Sequence, residues 1–283
     1  MKVSFFPGCS LEGTAREYGE SIEAVCCSLD IELKELSEWN CCGASSAHAT
    51  NEFLSIALPA RNLSMAEKAE SDLVTPCAAC FSRFKTAEKV LTGTSPVDVG
   101  VPFKGEINVL HILDFLCRQE FSGGIEKSVV KPLNNLKTVS YYGCLLVRPP
   151  RTTDARQWED PMDLDSLVSQ LGGEGVFWPY KTECCGGSLV LSKVDIVRRL
   201  CGRLFDMARE AGAECIVTAC PLCQANLDTR QEEIGNENGI TYDIPIFYFT
   251  ELMGLAFGNK EVDKWFSRHL VDPRTLLQRK KLL

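Results

Sequence analysis

The 283-residue chain lacks the long apolar runs and the excess of positive charge that mark membrane proteins and nucleic-acid-binding proteins. No stretch approaches the roughly 18 consecutive apolar residues that a membrane-spanning helix needs, so we predict no transmembrane segment. Residues 1–8 carry one charge and a very short apolar run broken at Pro7, which is unlike a secretory signal. The formal net charge of −8 argues against a nucleic-acid partner. We therefore expect a globular cytoplasmic protein.

Two cofactor motifs are also missing. No Gly-x-Gly-x-x-Gly is present, and the glycine-rich residues 172–175 do not fit that pattern, so the chain has no sign of its own flavin or nicotinamide site. The compact Cys-x-x-Cys-x-x-Cys-x-x-x-Cys-Pro run that binds a cubane cluster in ferredoxins is absent as well.

Cysteine, by contrast, is abundant, with fifteen residues. In a reducing cytosol clustered cysteines are more often metal ligands or redox groups than disulfides. Ten of them form two sets in the same order, Cys, Cys-Cys and Cys-x-x-Cys: first Cys9, Cys41, Cys42, Cys77 and Cys80, then Cys144, Cys184, Cys185, Cys220 and Cys223. Four members recur at an interval of 143 residues and the leading one at 135. The chain is therefore predicted to build the same soft-ligand site twice.

The repeat extends to the predicted secondary structure. Alternating and aromatic patterns predict strands at 3–6, 31–36, 73–75 and 107–110, and again at 139–142, 175–178, 216–218 and 244–249. Helices are predicted at 12–29, 112–117, 163–171 and 250–257. Strands that alternate with helices favour βαβ units. The predicted fold class is α/β, with two tandem pseudo-repeated domains, each a small, mainly parallel sheet flanked by helices.

We place the first cysteine-rich domain at residues 1–125 and the second at 136–257. The linker is predicted near 121–136, which contains Gly123-Gly124 and Pro132. A charged helical tail, 258–283, lies outside both repeats; it docks on a partner, caps a domain or is a surface helix.

All the cysteine elements follow predicted strands. Because ligands of open parallel sheets bind at the carboxyl ends of the strands, each set of five is expected to converge at one sheet edge. Five thiols are one more than tetrahedral zinc or an ordinary cubane cluster takes. The glycine after each Cys-Cys pair allows a turn that brings both sulfurs to one side.

The residues alone leave several site types open. These are an iron–sulfur cluster, zinc in one or both halves, a thioredoxin-like dithiol and strained vicinal disulfides. The cysteines outside the repeat are predicted to act as small apolar side chains: Cys26, Cys27, Cys117, Cys201 and Cys215.

The repeated order of Cys, Cys-Cys-Gly and Cys-x-x-Cys closely resembles the "CCG" pattern of the B subunit of heterodisulfide reductase, over roughly residues 1–258. The resemblance implies two non-cubane [4Fe-4S] clusters, one held by each set of five cysteines. It further implies a catalytic role in which each cluster supplies one electron to split a disulfide, in that family the coenzyme M–coenzyme B heterodisulfide.

Both halves of such a substrate are anionic. Arg148 and Arg151, just after Cys144, and Lys181, just before Cys184, are the candidates to bind it, since arginine suits bidentate anion contacts. His48, six residues after Cys42, is a candidate proton donor to a leaving thiolate. His111 and His269 carry no motif. For each of these charged residues a solvated or structural position is the alternative.

With no flavin motif in the chain, electrons are expected from a partner. The resemblance implies two partner proteins of the heterodisulfide reductase complex, the small ferredoxin-like C subunit and the flavin-containing A subunit. In some complexes these are joined to a hydrogenase or a formate dehydrogenase. The alternative function is electron relay within another dehydrogenase or a quinone-linked complex.

Overall fold

The computed structural model describes all 283 residues as two parallel four-stranded sheets with helices around them. The strands are β1 (Lys2–Phe5), β2 (Glu32–Glu35), β3 (Leu73–Thr75), β4 (Val109–His111), β5 (Lys137–Tyr141), β6 (Glu174–Gly175), β7 (Cys215–Thr218) and β8 (Ile246–Tyr248). The first sheet has the order β2-β1-β3-β4 and the second β6-β5-β7-β8. The predicted α/β class with two pseudo-repeated parallel sheets is confirmed.

The helices also follow the repeat. In the first half they are α1 (Gly8–Glu12), α2 (Arg16–Ser28), α3 (Ala47–Thr50), α4 (Glu52–Lys68), α5 (Ala78–Leu91), α6 (Ile112–Leu116) and α7 (Gln119–Ser128). The remainder are α8 (Pro150–Thr153), α9 (Asp163–Gln170), α10 (Val194–Glu210), α11 (Pro221–Thr229), α12 (Gln231–Asn238), α13 (Phe249–Ala256), α14 (Val262–Phe266) and α15 (Arg274–Arg279). A 3₁₀ turn covers Gly187–Leu189.

The central strands explain the sheet order. Every residue of β3 and of β7 is buried, as expected for short apolar strands covered on both faces. The strand registers match between the halves, since Thr75 pairs with His111 and Thr218 pairs with Tyr248. In each sheet the strand order reverses beside the first strand, and its carboxyl edge there is the expected ligand position.

Helices of the two halves pack on each other across the boundary between the sheets. Helix α2 of the first half packs on α13 of the second, and α9 of the second half packs on α6 of the first. Tyr18 of α2 stacks on Tyr248 with ring centroids 4.0 Å apart, and the Ser21 and Thr250 hydroxyl oxygens are 2.7 Å apart. A single core of 74 buried side chains therefore runs through both sheets.

The tail caps both halves. Arg268 pairs with Glu20 of α2 at 2.9 Å. His269 lies 2.8 Å from Glu251 of α13, and the side chains of His269 and Glu251 are fully buried. The backbone N–H groups of Leu270 and Val271 donate to the Asp228 carboxylate. Of the three predicted possibilities, the structure favours capping.

Several predicted element bounds are wrong. The predicted linker contains α7 up to Ser128, because Phe121 and Ile125, four residues apart, turn one helix face into the core. The strand predicted at 175–178 ends at Gly175, because Trp178 turns inward and donates from Nε1 to the Ser140 carbonyl. The helix predicted from residue 12 begins at Arg16, after the separate short helix α1.

The predicted limits of the two domains stay predictions. None of the helices has the length and apolar character that crossing a bilayer requires.

Candidate functional site

Three elements of each half bring the cysteines to the carboxyl edge of its sheet. Cys9 lies in α1, directly after β1, and Cys144 follows β5. The Cys41-Cys42 pair follows β2, and Cys184-Cys185 follows the segment after β6. The Cys-x-x-Cys elements follow the central strands β3 and β7. The strand-end placement of all six elements is as predicted.

Each Cys-x-x-Cys element begins a helix. Cys77 is the N-cap residue of α5, and Cys220 is the N-cap of α11, where Pro221 occupies the first helical position. Cys80 and Cys223 then lie in the first turn. Thiolates at this position face the positive end of the helix dipole and its free N–H groups.

Glycines shape the turns after the paired cysteines. Gly43 and Gly186 have φ of +77° and +79°, which side chains other than glycine rarely adopt. The Gly43 N–H lies 3.4 Å from the Cys41 sulfur, and the Gly186 N–H lies 3.2 Å from the Cys184 sulfur. The turn thus folds back on the first sulfur of each pair.

Glycines before the leading cysteines allow a close approach of a second element. Gly8 and Gly143 also have positive φ, +71° and +67°. A Cβ on Gly143 would lie 2.8 Å from the Cys223 sulfur, and one on Gly8 would lie 3.5 Å from the Cys80 sulfur. Glycine is therefore needed where the last cysteine of each set meets the first strand's turn.

Within each set, some of the sulfur atoms lie close together in pairs, and all the cysteines are free thiols. Cys42 and Cys80 have sulfurs 3.1 Å apart, and their counterparts Cys185 and Cys223 have sulfurs 3.8 Å apart. In the second half the thiols of Cys144 and Cys184 lie close enough for each to shift the pKa of the other. Cys9, which is exposed, lies near enough to Cys41 for its charge to act on that thiol.

The two sets also meet each other. The thiols of Cys77 and Cys220, the first residues of the two Cys-x-x-Cys elements, lie close enough across the boundary between the halves for each to shift the pKa of the other. Both are buried. The two predicted sites are therefore adjacent.

Neighbouring thiols lower the pKa of three cysteines. The thiol of Cys80 lowers the pKa of Cys42, and that of Cys223 lowers the pKa of Cys185. The Cys144 thiol lowers the pKa of Cys184 to about 6. The thiolate is the form that binds metals, so Cys42, Cys184 and Cys185 have the pKa shift expected of ligands, whereas the pKa of each partner thiol, Cys80, Cys144 and Cys223, is raised.

The donor set fits a sulfur-rich inorganic group with several metal centres. With metal–sulfur bonds of about 2.3 Å, two thiolates on one tetrahedral metal lie about 3.8 Å apart, which matches the Cys185–Cys223 spacing, whereas the Cys42–Cys80 spacing of 3.1 Å is shorter. No three His, Cys, Asp or Glu side chains come together as ligands of a single metal ion. The thiols form linked pairs around each sheet edge.

Arg148 lies beside the second site. Its backbone N–H donates to the Cys144 carbonyl at 2.9 Å, and its Nη2 donates to the hydroxyl of Thr182, two residues before Cys184. Its buried Nε has no hydrogen-bond partner, and no carboxylate pairs with it. Arg148 therefore keeps donors for an anionic ligand. Arg151 is exposed on α8.

Lys181 is buried and paired with two carboxylates. Its side chain is 3% exposed, and its ammonium contacts the carboxylates of Asp160 at 2.8 Å and Asp165 at 3.1 Å. It also donates to the Pro161 carbonyl at 3.1 Å. Two carboxylates therefore already balance the charge of Lys181, so it is not an unpaired cation, and its role in binding a substrate stays a prediction.

His48 is exposed on the four-residue helix α3, and its ring forms no hydrogen bond. Its role as a proton donor stays a prediction. Of the cysteines outside the repeat, Cys26, Cys201 and Cys215 are buried as predicted, Cys117 is half-buried and Cys27 is exposed.

Two buried residues near the junction of the sites were not foreseen. His111 lies 3.1 Å from the carbonyl of Pro76, which precedes Cys77. The Tyr18 hydroxyl donates to the carbonyl of Ala219, which precedes Cys220, at 3.2 Å. Neither belongs to a motif, because each reaches the cysteine element from another part of the chain.

Comparison with known families identifies the repeat. The model of the cysteine-rich domain family, CCG, matches residues 3–85 and 138–228. The chain belongs to this family. The two matches contain every member of the two cysteine sets.

Two curated relatives resemble the chain over most of their length. The chain is 29% identical over 282 residues to the 8-methylmenaquinol:fumarate reductase membrane anchor subunit of Wolinella succinogenes, covering 97% of this chain and 99% of the relative. It is 28% identical over 269 residues to the B subunit of the ferredoxin:CoB-CoM heterodisulfide reductase of Methanosarcina mazei, covering 91% and 89%. Both relatives are subunits of multi-subunit reductase complexes, so the chain resembles oxidoreductase subunits.

A solved structure has the same fold. The crystal structure of a hypothetical protein from Helicobacter pylori superposes with a TM-score of 0.72 at 9% identity and covers 96% of this chain. The chain spans about half the length of that protein, 52%.

Proposed function

We propose that this protein is the catalytic iron–sulfur subunit of a heterodisulfide reductase-type complex. Each set of five cysteines would hold one non-cubane [4Fe-4S] cluster: Cys9, Cys41, Cys42, Cys77 and Cys80 the first, and Cys144, Cys184, Cys185, Cys220 and Cys223 the second. When bound, the clusters supply the two single electrons that cleaving a disulfide requires.

The proximity of Cys77 and Cys220, whose thiols shift each other's pKa, is the observation that supports this proposal most directly. A disulfide accepts two electrons, and a cluster delivers one at a time. Two adjacent sites on one chain allow both electrons to reach the same small molecule. Two sites on opposite faces would not.

Arg148 would bind an anionic group of the substrate. Arg148 keeps an unpaired Nε and lies within one turn of Cys144, so an anionic arm of the disulfide can pair with it beside the second site. Its guanidinium also lies over the Trp158 ring at 6.0 Å, which restrains its orientation. The substrate class is a small anionic disulfide, with the coenzyme M–coenzyme B heterodisulfide as the first to test.

Electrons would arrive from partner proteins of the complex. The ferredoxin-like C subunit and the flavin-containing A subunit are the proposed donors, with a hydrogenase or formate dehydrogenase beyond them. The proposed location of the complex is the cytoplasm.

An electron-relay role in a quinone-linked complex is the second candidate. The 29% identity to the Wolinella succinogenes protein over nearly the full length of both chains favours it. In that role the same cysteines would hold clusters, but no disulfide would bind.

Anaerobic iron, acid-labile sulfide and zinc analysis, combined with electron paramagnetic resonance (EPR), tests the assignment. By family analogy about eight irons and eight sulfides per chain are expected. Cys42→Ser and Cys185→Ser should each lose one cluster and keep the other. Retention of both clusters in both variants would refute the ligand assignment, and stoichiometric zinc in a colourless protein would establish a structural zinc protein instead.

Adding disulfide separates the two functional candidates. A catalytic protein should change its EPR spectrum on addition of the heterodisulfide or a close anionic analogue. A relay protein should show the same clusters with an unchanged spectrum.

A further inference from the structure

The two cysteine sites differ at one matched position. Arg83 lies on α5 and Asn226 on α11, three residues after Cys80 and Cys223 respectively. They are 143 residues apart, the interval that also relates Cys42 to Cys185. Residues three apart on a helix are neighbours on one face, so each lies one turn from the last cysteine of its set.

In the second half this position is neutral. The Asn226 side chain donates from Nδ2 to the Cys185 carbonyl at 2.7 Å. Its Oδ1 accepts from Arg230 Nε at 2.9 Å, and Arg230 in turn pairs with Glu233 at 3.1 Å. The positive charge that contacts Asn226 is therefore balanced by a carboxylate.

In the first half the position carries an unbalanced charge. Arg83 is half-buried, and its guanidinium forms no hydrogen bond or ion pair, although the chain has 38 acidic residues against 30 basic ones. Burial lowers the pKa of Arg83, and the nearby Cys42 thiolate opposes that shift. A half-buried cation without a carboxylate is costly unless another negative charge faces it.

We propose that the positive charge of Arg83 makes the first site easier to reduce than it would be with a neutral residue at this position. The inference rests on the proposed function, because it takes each cysteine set to hold an iron–sulfur cluster. An added electron at the first site gains from the neighbouring positive charge, which a neutral side chain such as the matched Asn226 would not supply.

Redox titration of the anaerobically purified full-length protein, followed by EPR, tests the effect of the Arg83 charge on the midpoint potential. Arg83→Gln should lower the midpoint potential of one cluster and leave the other unchanged, at unaltered iron content. Arg83→Lys, which keeps the charge, should restore most of the potential. The same titration in a Cys185→Ser background assigns the shift, which should persist in the cluster that remains.

Lys85→Gln is the matched control. It removes the same charge from the same helix, but Lys85 is paired with Glu88 and with Asp154, the latter at 3.0 Å, so neither potential should move. Unmoved potentials in Arg83→Gln, or an equal shift in Lys85→Gln, would overturn the inference. A protein without iron would overturn the proposed function itself, a result visible before any potential is measured.

Discussion

The ring of His111 hydrogen-bonds the Pro76 carbonyl on one side and the Leu113 N–H on the other, close to the cysteine sites. Its Nδ1 accepts a hydrogen bond from the Leu113 N–H at 3.1 Å, so Nε2 carries the proton and donates to the Pro76 carbonyl, also at 3.1 Å. Burial lowers the pKa of His111 to about 4 and outweighs the Ala219 carbonyl, which raises the pKa of the ring, so the ring is neutral at pH 7. His111 thus ties the backbone that precedes Cys77 to the start of α6.

Replacing His111 should loosen this junction. His111→Phe keeps the ring volume but leaves the buried Pro76 carbonyl without its donor, which should cost roughly 1–3 kcal/mol of unfolding free energy. Urea unfolding under anaerobic conditions measures the loss. His111→Gln, which retains an N–H donor, is the control and should lose less. Equal stability of His111→Phe and the unsubstituted protein would show that the hydrogen bond contributes nothing.

Alanine at the two glycines before the leading cysteines should affect the sites unequally. Gly143→Ala places a Cβ 2.8 Å from the Cys223 sulfur, whereas the Gly8→Ala Cβ lies 3.5 Å from the Cys80 sulfur. Both also incur the left-handed backbone cost of about 1–2 kcal/mol. Iron and sulfide analysis should therefore show a larger loss in Gly143→Ala, confined to the second cluster. A larger loss in Gly8→Ala would contradict the difference in spacing.

Arg148 and Lys181 should separate binding from stability. Arg148→Gln removes an unpaired cation beside the second site, so the KM for an anionic disulfide should rise roughly tenfold, as loss of one charge-assisted hydrogen bond of about 1.5 kcal/mol predicts. Lys181→Met leaves the half-buried Asp165 carboxylate unpaired and should lower the melting temperature without that change in KM. Steady-state kinetics with differential scanning fluorimetry distinguishes the two. A raised KM in Lys181→Met alone would reverse the assignment.

Capping by the tail should depend on pH. Burial lowers the pKa of His269, but the ion pair with Glu251 outweighs burial and raises it to about 9, helped by Asp228 and Glu17. The unfolded value is about 6.5, so the stabilisation is complete below that pH and is lost as the pH rises through about 9.

The fall in unfolding free energy should be roughly 3 kcal/mol between these values. His269→Gln should be less stable at pH 6 and should not show this component. Because the cysteines also titrate here, the difference between the two proteins is the quantity to follow. A constant difference from pH 6 to pH 10 would exclude the ion pair as its source.

Local features were predictable from the sequence. The repeated cysteine order, the strands that precede it and the glycine turns depend on residues adjacent in the chain. Gly43 and Gly186 adopt the left-handed backbone that the prediction required of them. The helix in the predicted linker was missed because the Gly123-Gly124 pair obscured the spacing of Phe121 and Ile125.

Contacts between distant segments were not predictable. Lys181 looked free because Asp160 and Asp165 lie about twenty residues earlier and reach it only through the fold. Arg83 gave no signal until its lack of a partner beside Cys42 became visible. Periodicity reports which face of a helix is apolar, but not which half of the molecule that face meets.

The contacts of α2 with α13 and of α9 with α6 make the duplicated halves interdependent. A fragment ending near residue 130 would expose the ring of Tyr18, which otherwise stacks on Tyr248, and would lose the Ser21–Thr250 contact. Its counterpart would leave the α13 face uncovered in the same way. Sequence duplication has therefore produced one cooperative folding unit, and severing the chain between the repeats should give two insoluble pieces rather than two working half-sites.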